Sequence, residues 1–391
     1  MPGAACKARR RPGEAGSAAL AWWRAFAARA ARVIQAVVGG AVASGATHAA
    51  TLPENKAEAI YHVYDGGGVK ATGPALLVRK SLADRVSLSA QYYVDAVSNA
   101  SIDVVTTASP FKETRTAWDL SAETLVRDSL LSVGVSRSSE PDYIAEAVNA
   151  DVSHEVFGGM TTVSLGFTRA RDQVGKKGER GWTDQASHWQ YRAGVTQILT
   201  PRWLLSLNAE AIADSGYLGS PYRAARVFGA AVPERNPRTR SSRALKLRTL
   251  YDSGQWLPGS SVRAEVRRYW DNWDIKATTT EFGFAKYLGE RFLLDATMRF
   301  YAQDKALFYS DNAQVETVYV SRNRQLSTFK STSFGARLSY TWPRLPAGWD
   351  VKLVGAYERK SFRFSDFTDL RSGGAYSYDA NVLQLMVLAN F

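Results

Sequence analysis

The chain closes on Tyr378-Asp-Ala-Asn-Val-Leu-Gln-Leu-Met-Val-Leu-Ala-Asn-Phe391. Counting back from the end, Phe391, Ala389, Val387, Leu385 and Leu383 share one side of an extended backbone, because side chains alternate faces along a strand. The other side carries Asn390, Met386 and Gln384, with Leu388 and Val382 among them. The stretch reads as a β-strand with one strongly apolar face, ending on an aromatic residue.

From about residue 50 onward this pattern recurs, and no helical period competes with it. Alternating segments fall at 58–64, 74–82, 85–97, 114–125, 129–137, 143–156, 161–171 and 187–199. They continue at 202–213, 239–251, 260–270, 275–287, 291–302, 328–342, 350–360 and 377–391, which makes sixteen expected strands. Links after even-numbered strands are mostly tight, such as Ala83-Asp84, Arg127-Asp128, Phe157-Gly-Gly159 and Thr200-Pro201. Those after odd-numbered strands are mostly longer and polar, at 98–113, 172–186, 214–238, 303–327 and 361–376, with 138–142 and 271–274 as short exceptions. Short turns on one rim and long loops on the other predict an all-β fold. It is a transmembrane antiparallel β-barrel of about 16 strands in the cell outer membrane, with both termini periplasmic. A soluble sandwich has no reason to segregate its loop lengths in this way.

Composition agrees. Aromatic residues make up 12% of the chain while mean hydropathy is slightly negative, which excludes a helical membrane protein. In a barrel wall, lipid-facing and lumen-facing residues alternate and cancel. Thus Val163, Leu165 and Phe167 alternate with Thr162, Ser164, Gly166 and Thr168, and Phe292, Leu294, Ala296, Met298 and Phe300 with Asp295, Thr297 and Arg299. Near strand ends lie Tyr92, Trp118, Trp189, Trp203, Tyr251, Trp270, Trp273, Tyr340 and Trp342, where two interfacial aromatic girdles are expected.

Residues 1–49 read as a signal peptide with a long basic n-region, and 50–391 as the barrel. Lys7, Arg9, Arg10, Arg11, Arg24, Arg29 and Arg32 precede an apolar run at 33–43. That run is shorter than the ~20 residues of a membrane-spanning helix, and Thr47-His-Ala49 supplies a small-x-small cleavage site. The leader holds about half of the formal net charge of +12, so the basic balance does not indicate a nucleic-acid partner. Cys6 is the one cysteine, which excludes an intramolecular disulfide and a cysteine-based metal site. His48, His62, His154 and His188 lack ligand spacing, so neither a metal nor a cofactor is expected.

One segment is too particular for generic wall: Tyr92-Tyr-Val-Asp-Ala-Val-Ser-Asn-Ala-Ser-Ile-Asp-Val-Val-Thr-Thr-Ala-Ser-Pro110. It resembles the opening region of the Gram-negative DUF3570 family. Similarity continues through Thr161-Thr-Val-Ser-Leu-Gly-Phe167, Gln197-Ile-Leu-Thr-Pro201, Pro221-Tyr-Arg223, Pro237-Arg-Thr-Arg240 and Phe308-Tyr-Ser-Asp311. The resemblance implies an outer-membrane protein and brings no catalytic residues with it. The terminal strand likewise resembles the last strand of outer-membrane barrels. Phe391 is therefore expected to be the assembly signal read by barrel-assembly machinery.

Candidate chemistry lies inside the wall. Asp95, Arg192, Arg248, Arg263, Arg267, Asp295 and Arg299 fall on predicted lumenal positions, where rings of charge set ion preference. The same mixture of signs suits ion pairs that brace a wall. Loop 98–113, with Asp103, could fold inward as a constriction or lid. Loop 214–238 holds Pro221-Tyr-Arg-Ala-Ala-Arg226 and Glu234-Arg-Asn-Pro-Arg-Thr-Arg240, suited to lipopolysaccharide or an acidic solute. No Gly-x-Ser-x-Gly elbow, P-loop or His-Glu-x-x-His run occurs. The Ser153–His154 and Ser187–His188 neighbours point to opposite faces, so neither forms a dyad within its strand. The leading expectation is a non-enzymatic pore or conduit for a small polar or charged solute, embedded in outer-membrane lipid and lipopolysaccharide. A scaffold or sheath docking periplasmic or surface partners is the alternative, and an outer-membrane enzyme is a distant third.

Overall fold

A computed structural model describes residues 51–99, 111–179, 181–343 and 348–391. The expected signal peptide at 1–49 lies outside them, as does the 100–110 stretch of the first long loop with Asp103. The strands are β1 Lys56–Gly66, β2 Val69–Leu82, β3 Val86–Asn99, β4 Phe111–Val126, β5 Ser129–Ser139, β6 Tyr143–Val156, β7 Thr161–Gly175, β8 Thr183–Thr200 and β9 Trp203–Gly216. Then come β10 Ala224–Val227, β11 Ala230–Pro233, β12 Thr239–Asp252, β13 Ser260–Asp271, β14 Lys276–Leu288, β15 Phe292–Gln303, β16 Phe329–Thr341, β17 Asp350–Thr368 and β18 Ala375–Asn390.

Among the described residues, all of these except β10 and β11 pair antiparallel with their neighbours in one closed sixteen-stranded barrel. The seam is β1 against β18, in register from Lys56↔Asn390 to Gly66↔Ala380. Both ends of the barrel chain therefore lie on one rim, the short-turn rim, and the long loops occupy the other. Closure leaves no sheet edge, which a spanning sheet requires because lipid offers no partner for free N–H and C=O groups. At Ala83-Asp84 both residues take positive φ (50° and 52°), a left-handed pair that reverses the chain, with the Arg85 N–H donating to the Leu82 carbonyl at 3.1 Å.

The alternation holds all the way round. Leu76, Leu120, Leu165, Leu207, Phe282 and Leu385 are exposed on the outer face, where lipid covers them. Their neighbours Leu77, Asp119, Ser164, Ser206, Glu281 and Gln384 turn inward. In β18, Leu383, Leu385 and Val387 are the exposed set, as the closing stretch requires. Phe391 stacks on Trp349 at 4.9 Å, with the Lys80 ammonium 4.7 Å from its ring, so the last side chain is pinned over the seam.

Two features depart from the pattern reading. The strands run further toward the loop rim than alternation indicates: β7 reaches Gly175 and β17 reaches Thr368. There the outer face is polar, as with Arg171, Gln173, Arg363 and Ser365, so no apolar period marks the continuation. Loop 214–238 is partly ordered as the β10–β11 hairpin, turning at Phe228 (φ 49°) and Gly229 (φ 84°).

The compact apolar core lies among the loops rather than in the wall. Trp273, Ile275, Ala306, Tyr309, Leu326 and Phe367 pack on the inward-facing Phe364 and Tyr376. Trp273 is thus no girdle residue: it is only 4% exposed, and its indole N–H donates to the Thr239 carbonyl at 2.9 Å. The short 272–275 link turns inward because Asp271 Oδ1 accepts from the backbone N–H groups of Trp273 (2.9 Å) and Ile275 (3.0 Å).

Candidate functional site

The lumen is lined by charge sorted into two arcs. On β2 to β9 the inward positions include Asp95, Asp119, Glu123, Asp151, Asp172, Glu210 and Asp214, beside Arg79, Arg115 and Arg192. On β12 to β16 they include Lys246, Arg248, Arg263, Arg267, Arg299 and Arg337, beside Glu265, Glu281 and Asp295. An acidic arc therefore faces a basic one.

Many of these charges pair by reaching over a strand. Arg192 on β8 donates to Asp151 on β6 at 2.7 Å, with Gly166 of β7 between them in register. A Cβ at Gly166 would lie 2.1 Å from Asp151 Oδ1 and 2.9 Å from Arg192 Nε. Arg263 on β13 reaches Asp295 on β15 at 2.8 Å, over Gly283 of β14, where a Cβ would meet Arg263 Nε at 2.5 Å. His62 on β1 contacts Asp95 on β3 at 2.7 Å and lies opposite Gly73 of the intervening β2. Tyr93 stacks on His62 (centroids 5.3 Å apart) and its hydroxyl is 3.1 Å from Nε2. At Gly166 and Gly283 the missing Cβ leaves room for the arginine, whereas at Gly73 a Cβ would lie 1.7 Å from the Val94 carbonyl oxygen, so that glycine admits the neighbouring backbone.

Of the sequence-derived candidates, Arg263 and Asp295 are thus brought together, Asp95 meets His62, and Arg192 meets Asp151. Arg267 pairs with Glu210 at 3.0 Å. Arg248 and Arg299 are exposed to the lumen, as is Arg337, and none of the three has an ion pair among the described residues; Asp119 likewise has none. Asp103 lies outside the described residues. Sequence reading missed the histidines as network members. His188 places its ring nitrogens 2.7 Å from Asp214 and 3.0 Å from Asp172, cross-linking β7, β8 and β9. For the arginine pairs the available signal was glycine at a lumenal position of a strand, as at Gly166 and Gly283; His188, opposite Ala170 and Asp214, had no such mark.

Over the loop rim, two long loops interlock into a cap. Val227 of β10 bridges to Ala313, and Arg235 to Val320. Ala313 N–H donates to Arg226 O (2.9 Å) and Phe228 N–H to Ala313 O (2.9 Å). Arg322, only 6% exposed, pins the cap. Its guanidinium donates to Asp311 Oδ1 (2.8 Å) and to the Thr368 carbonyl (2.6 Å), and it lies 4.3 Å from the Phe367 ring. Ser321 Oγ donates to Glu234 Oε1 at 2.8 Å, tying this loop to the hairpin side. Tyr309 donates to the Asp366 carbonyl at 2.8 Å, and burial pushes its phenol well above the usual range.

Beneath the cap lies a cavity of about 540 Å³, walled by Arg223, Asn236, Arg240, Arg267, Tyr301 and Gln325 among others. Arg223 Nη1 and Asn236 Oδ1 are buried there without a hydrogen-bond partner among the described residues. A second space of about 440 Å³ sits deeper, lined by Asp151, Arg192, Asn208, Glu210, Lys246 and Glu265. Arg267 borders both, so the Arg267–Glu210 pair stands at their junction.

Two other arrangements bear on chemistry. Glu113, Glu140 and Asp142 bring carboxylate oxygens within 4.8 Å of one another at the loop rim, and burial raises the Glu140 carboxyl above its ordinary value. Across strands, Ser129 Oγ and His154 Nδ1 lie 2.8 Å apart on the outer face. Among the described residues no carboxylate engages His154, so the pair lacks the third group that orients a nucleophile's base.

The family model for DUF3570, a protein of unknown function, matches residues 28–361. The chain belongs to this family. No curated protein matches it in sequence. Among solved structures, a bacterial polysaccharide outer membrane secretin aligns at 9% identity with a TM-score of 0.50, over 87% of this chain and all of that one. A loop-deletion mutant of the Vibrio cholerae outer membrane protein OmpT aligns at 8% identity and 0.45, over 86% and 98%. The Pseudomonas aeruginosa siderophore receptor PirA aligns at 12% and 0.42, over 81% of this chain. The chain spans 60% of the length of that receptor and 54% of the ferric enterobactin receptor. Such likeness speaks to the fold alone, and this DUF3570 member is an outer-membrane β-barrel.

Proposed function

We propose that this DUF3570 barrel is a capped, non-enzymatic outer-membrane conduit for a small anionic or zwitterionic solute, with its turn rim and both termini in the periplasm. The observation that carries this is the charge-sorted lumen. A polar wall with opposed acidic and basic arcs orients a dipolar solute in transit, and the exposed Arg248, Arg299 and Arg337 against Asp119 bias the bore toward anions. The cavity beneath the cap, with Arg223 and Asn236 still holding unused hydrogen-bonding capacity, supports a first contact for a carboxylate or phosphate.

Planar-bilayer recording of the full chain tests the reading. A salt gradient should give a reversal potential of the anion-selective sign, and R248E/R299E/R337E should reverse it. Silence at every voltage and salt, in the wild type and in a cap-loosened variant alike, would sink the conduit. The second reading, a scaffold docking periplasmic or surface partners, is favoured by the well-packed cap. It predicts that same silence.

A further inference from the structure

We infer that the outer wall between β6 and β9 carries a binding site for the phosphorylated headgroup of a membrane lipid, lipopolysaccharide in the leaflet at the loop rim. This rests on the outer-membrane location and on the proposed orientation with the turn rim in the periplasm, and not on the conduit reading. Along the outer face of β7 the side chains run Val163, Leu165, Phe167, Arg169, Arg171 and Gln173. Apolar residues give way to an aromatic layer, where Phe167 meets Tyr191 (5.5 Å) and Trp189 (5.7 Å), and then to two arginines.

The level is right for phosphate. Met160, exposed at the turn rim, and Arg169 are nine residues apart. At ~3.3 Å per residue and a tilt of ~40° that is a rise of about 23 Å, close to the ~25 Å height of a barrel's apolar band. Arg169 and Arg171 thus emerge where headgroups begin, about 7 Å apart on the same face.

The place is also built rather than merely charged. A depression of about 620 Å³ is lined there by Arg169, Arg171, Gln173, Gln185, Ser187 and Ser215. The Arg169 guanidinium lies 4.3 Å from the Trp189 ring, which fixes its plane, and its Nε is buried with no hydrogen-bond partner among the described residues. Arg171 has no ion pair among them either. Two carboxylate residues line the depression: Asp172 turns into the lumen, where it contacts His188 at 3.0 Å, and Glu146 is occupied by Arg137 at 2.5 Å. Two positive charges stay in excess, beside hydroxyl and amide groups suited to sugar. Arginine's planar fork matches a phosphate bidentately.

The test measures affinity of the full-length protein in detergent for bis-phosphorylated lipid A and for the dephosphorylated lipid. Heat-modifiability confirms that each variant is folded. The phosphorylated form should bind at least tenfold more tightly, and R169Q/R171Q should lose that preference while R359Q/R363Q, on the far side of the barrel, keeps it. Millimolar inorganic phosphate should not displace the lipid, since the acyl chains lie along the apolar band. Equal affinity for the two lipids overturns the inference in the wild type alone. So does an unchanged preference in R169Q/R171Q, or displacement by free phosphate.

Discussion

Replacing Arg322 with alanine should open the cap without unfolding the barrel. Arg322 is buried, makes a charge-assisted contact to Asp311, donates to the Thr368 carbonyl and stacks on Phe367. The Asp311 contact is worth about 1.5–3 kcal/mol, the carbonyl about 1, and the cation–π contact about 0.5–2. Breaking a buried pair costs about 3–5 kcal/mol because the remaining charge is stranded. Asp311 is partly exposed and can rehydrate, so the lower figure applies: about 3 kcal/mol. The whole of it falls on the closed cap, since these partners are loop residues or strand ends at the loop rim. With about 1.4 kcal/mol per factor of ten, the open-to-closed ratio should rise about 100-fold. Single-channel recording reads that ratio directly as open probability. An R322A protein that is heat-modifiable, yet opens within threefold of the wild type, would refute the assignment of Arg322 as the pin.

Three further outcomes follow from the same geometry. The V227C/A313C variant joins the two cap loops at their β-bridge, in a chain whose native cysteine is Cys6; oxidation should abolish conductance and a reductant should restore it. G166A should destabilise the barrel by only about 1 kcal/mol in urea titration, because Arg192 and Asp151 are each more than a third exposed and water screens the loss. Adding D151A to G166A should cost little more, and full additivity of the two would show that the glycine does not serve this pair. Deleting Phe391 should lower the yield of folded, heat-modifiable protein in cells while refolding from urea into detergent proceeds. Equal loss in both would assign Phe391 to the Trp349 stack and seam rather than to assembly machinery.

The barrel was legible because lipid imposes a period of two on every spanning strand, and Leu383, Leu385 and Val387 obey it to the end. It stops being legible where that constraint stops. Above the band, Gln173 and Arg363 continue strands that no apolar rhythm marks. Trp273 resembles a girdle residue in sequence, yet it packs with Tyr309 and Phe367, which lie 36 and 94 residues further on. Such a core has no local period to read. Inside the lumen, Arg263 and Asp295 were visible as separate charges. Their pairing depends on the register of strands two apart, and Gly283 alone hinted at it.

Those lumenal glycines also bear on what the barrel is for. An arginine that pairs with its nearest neighbour can project toward the axis, but one that reaches over a glycine lies flat along the wall. Gly166 and Gly283 therefore keep Arg192 and Arg263 out of the bore while leaving their charge on its surface. A scaffold that only presents its outside gains nothing from a clear, charge-sorted interior, and could fill it with larger apolar side chains at higher stability. On the conduit reading, closure is made elsewhere, by loops 217–238 and 304–328, joined at the Val227–Ala313 bridge and pinned to the end of β17 through Arg322. A wall shaped to stay open beneath a separable cap is the division of labour a gated conduit needs, which is why the cap, and not the wall, is where perturbation should change passage.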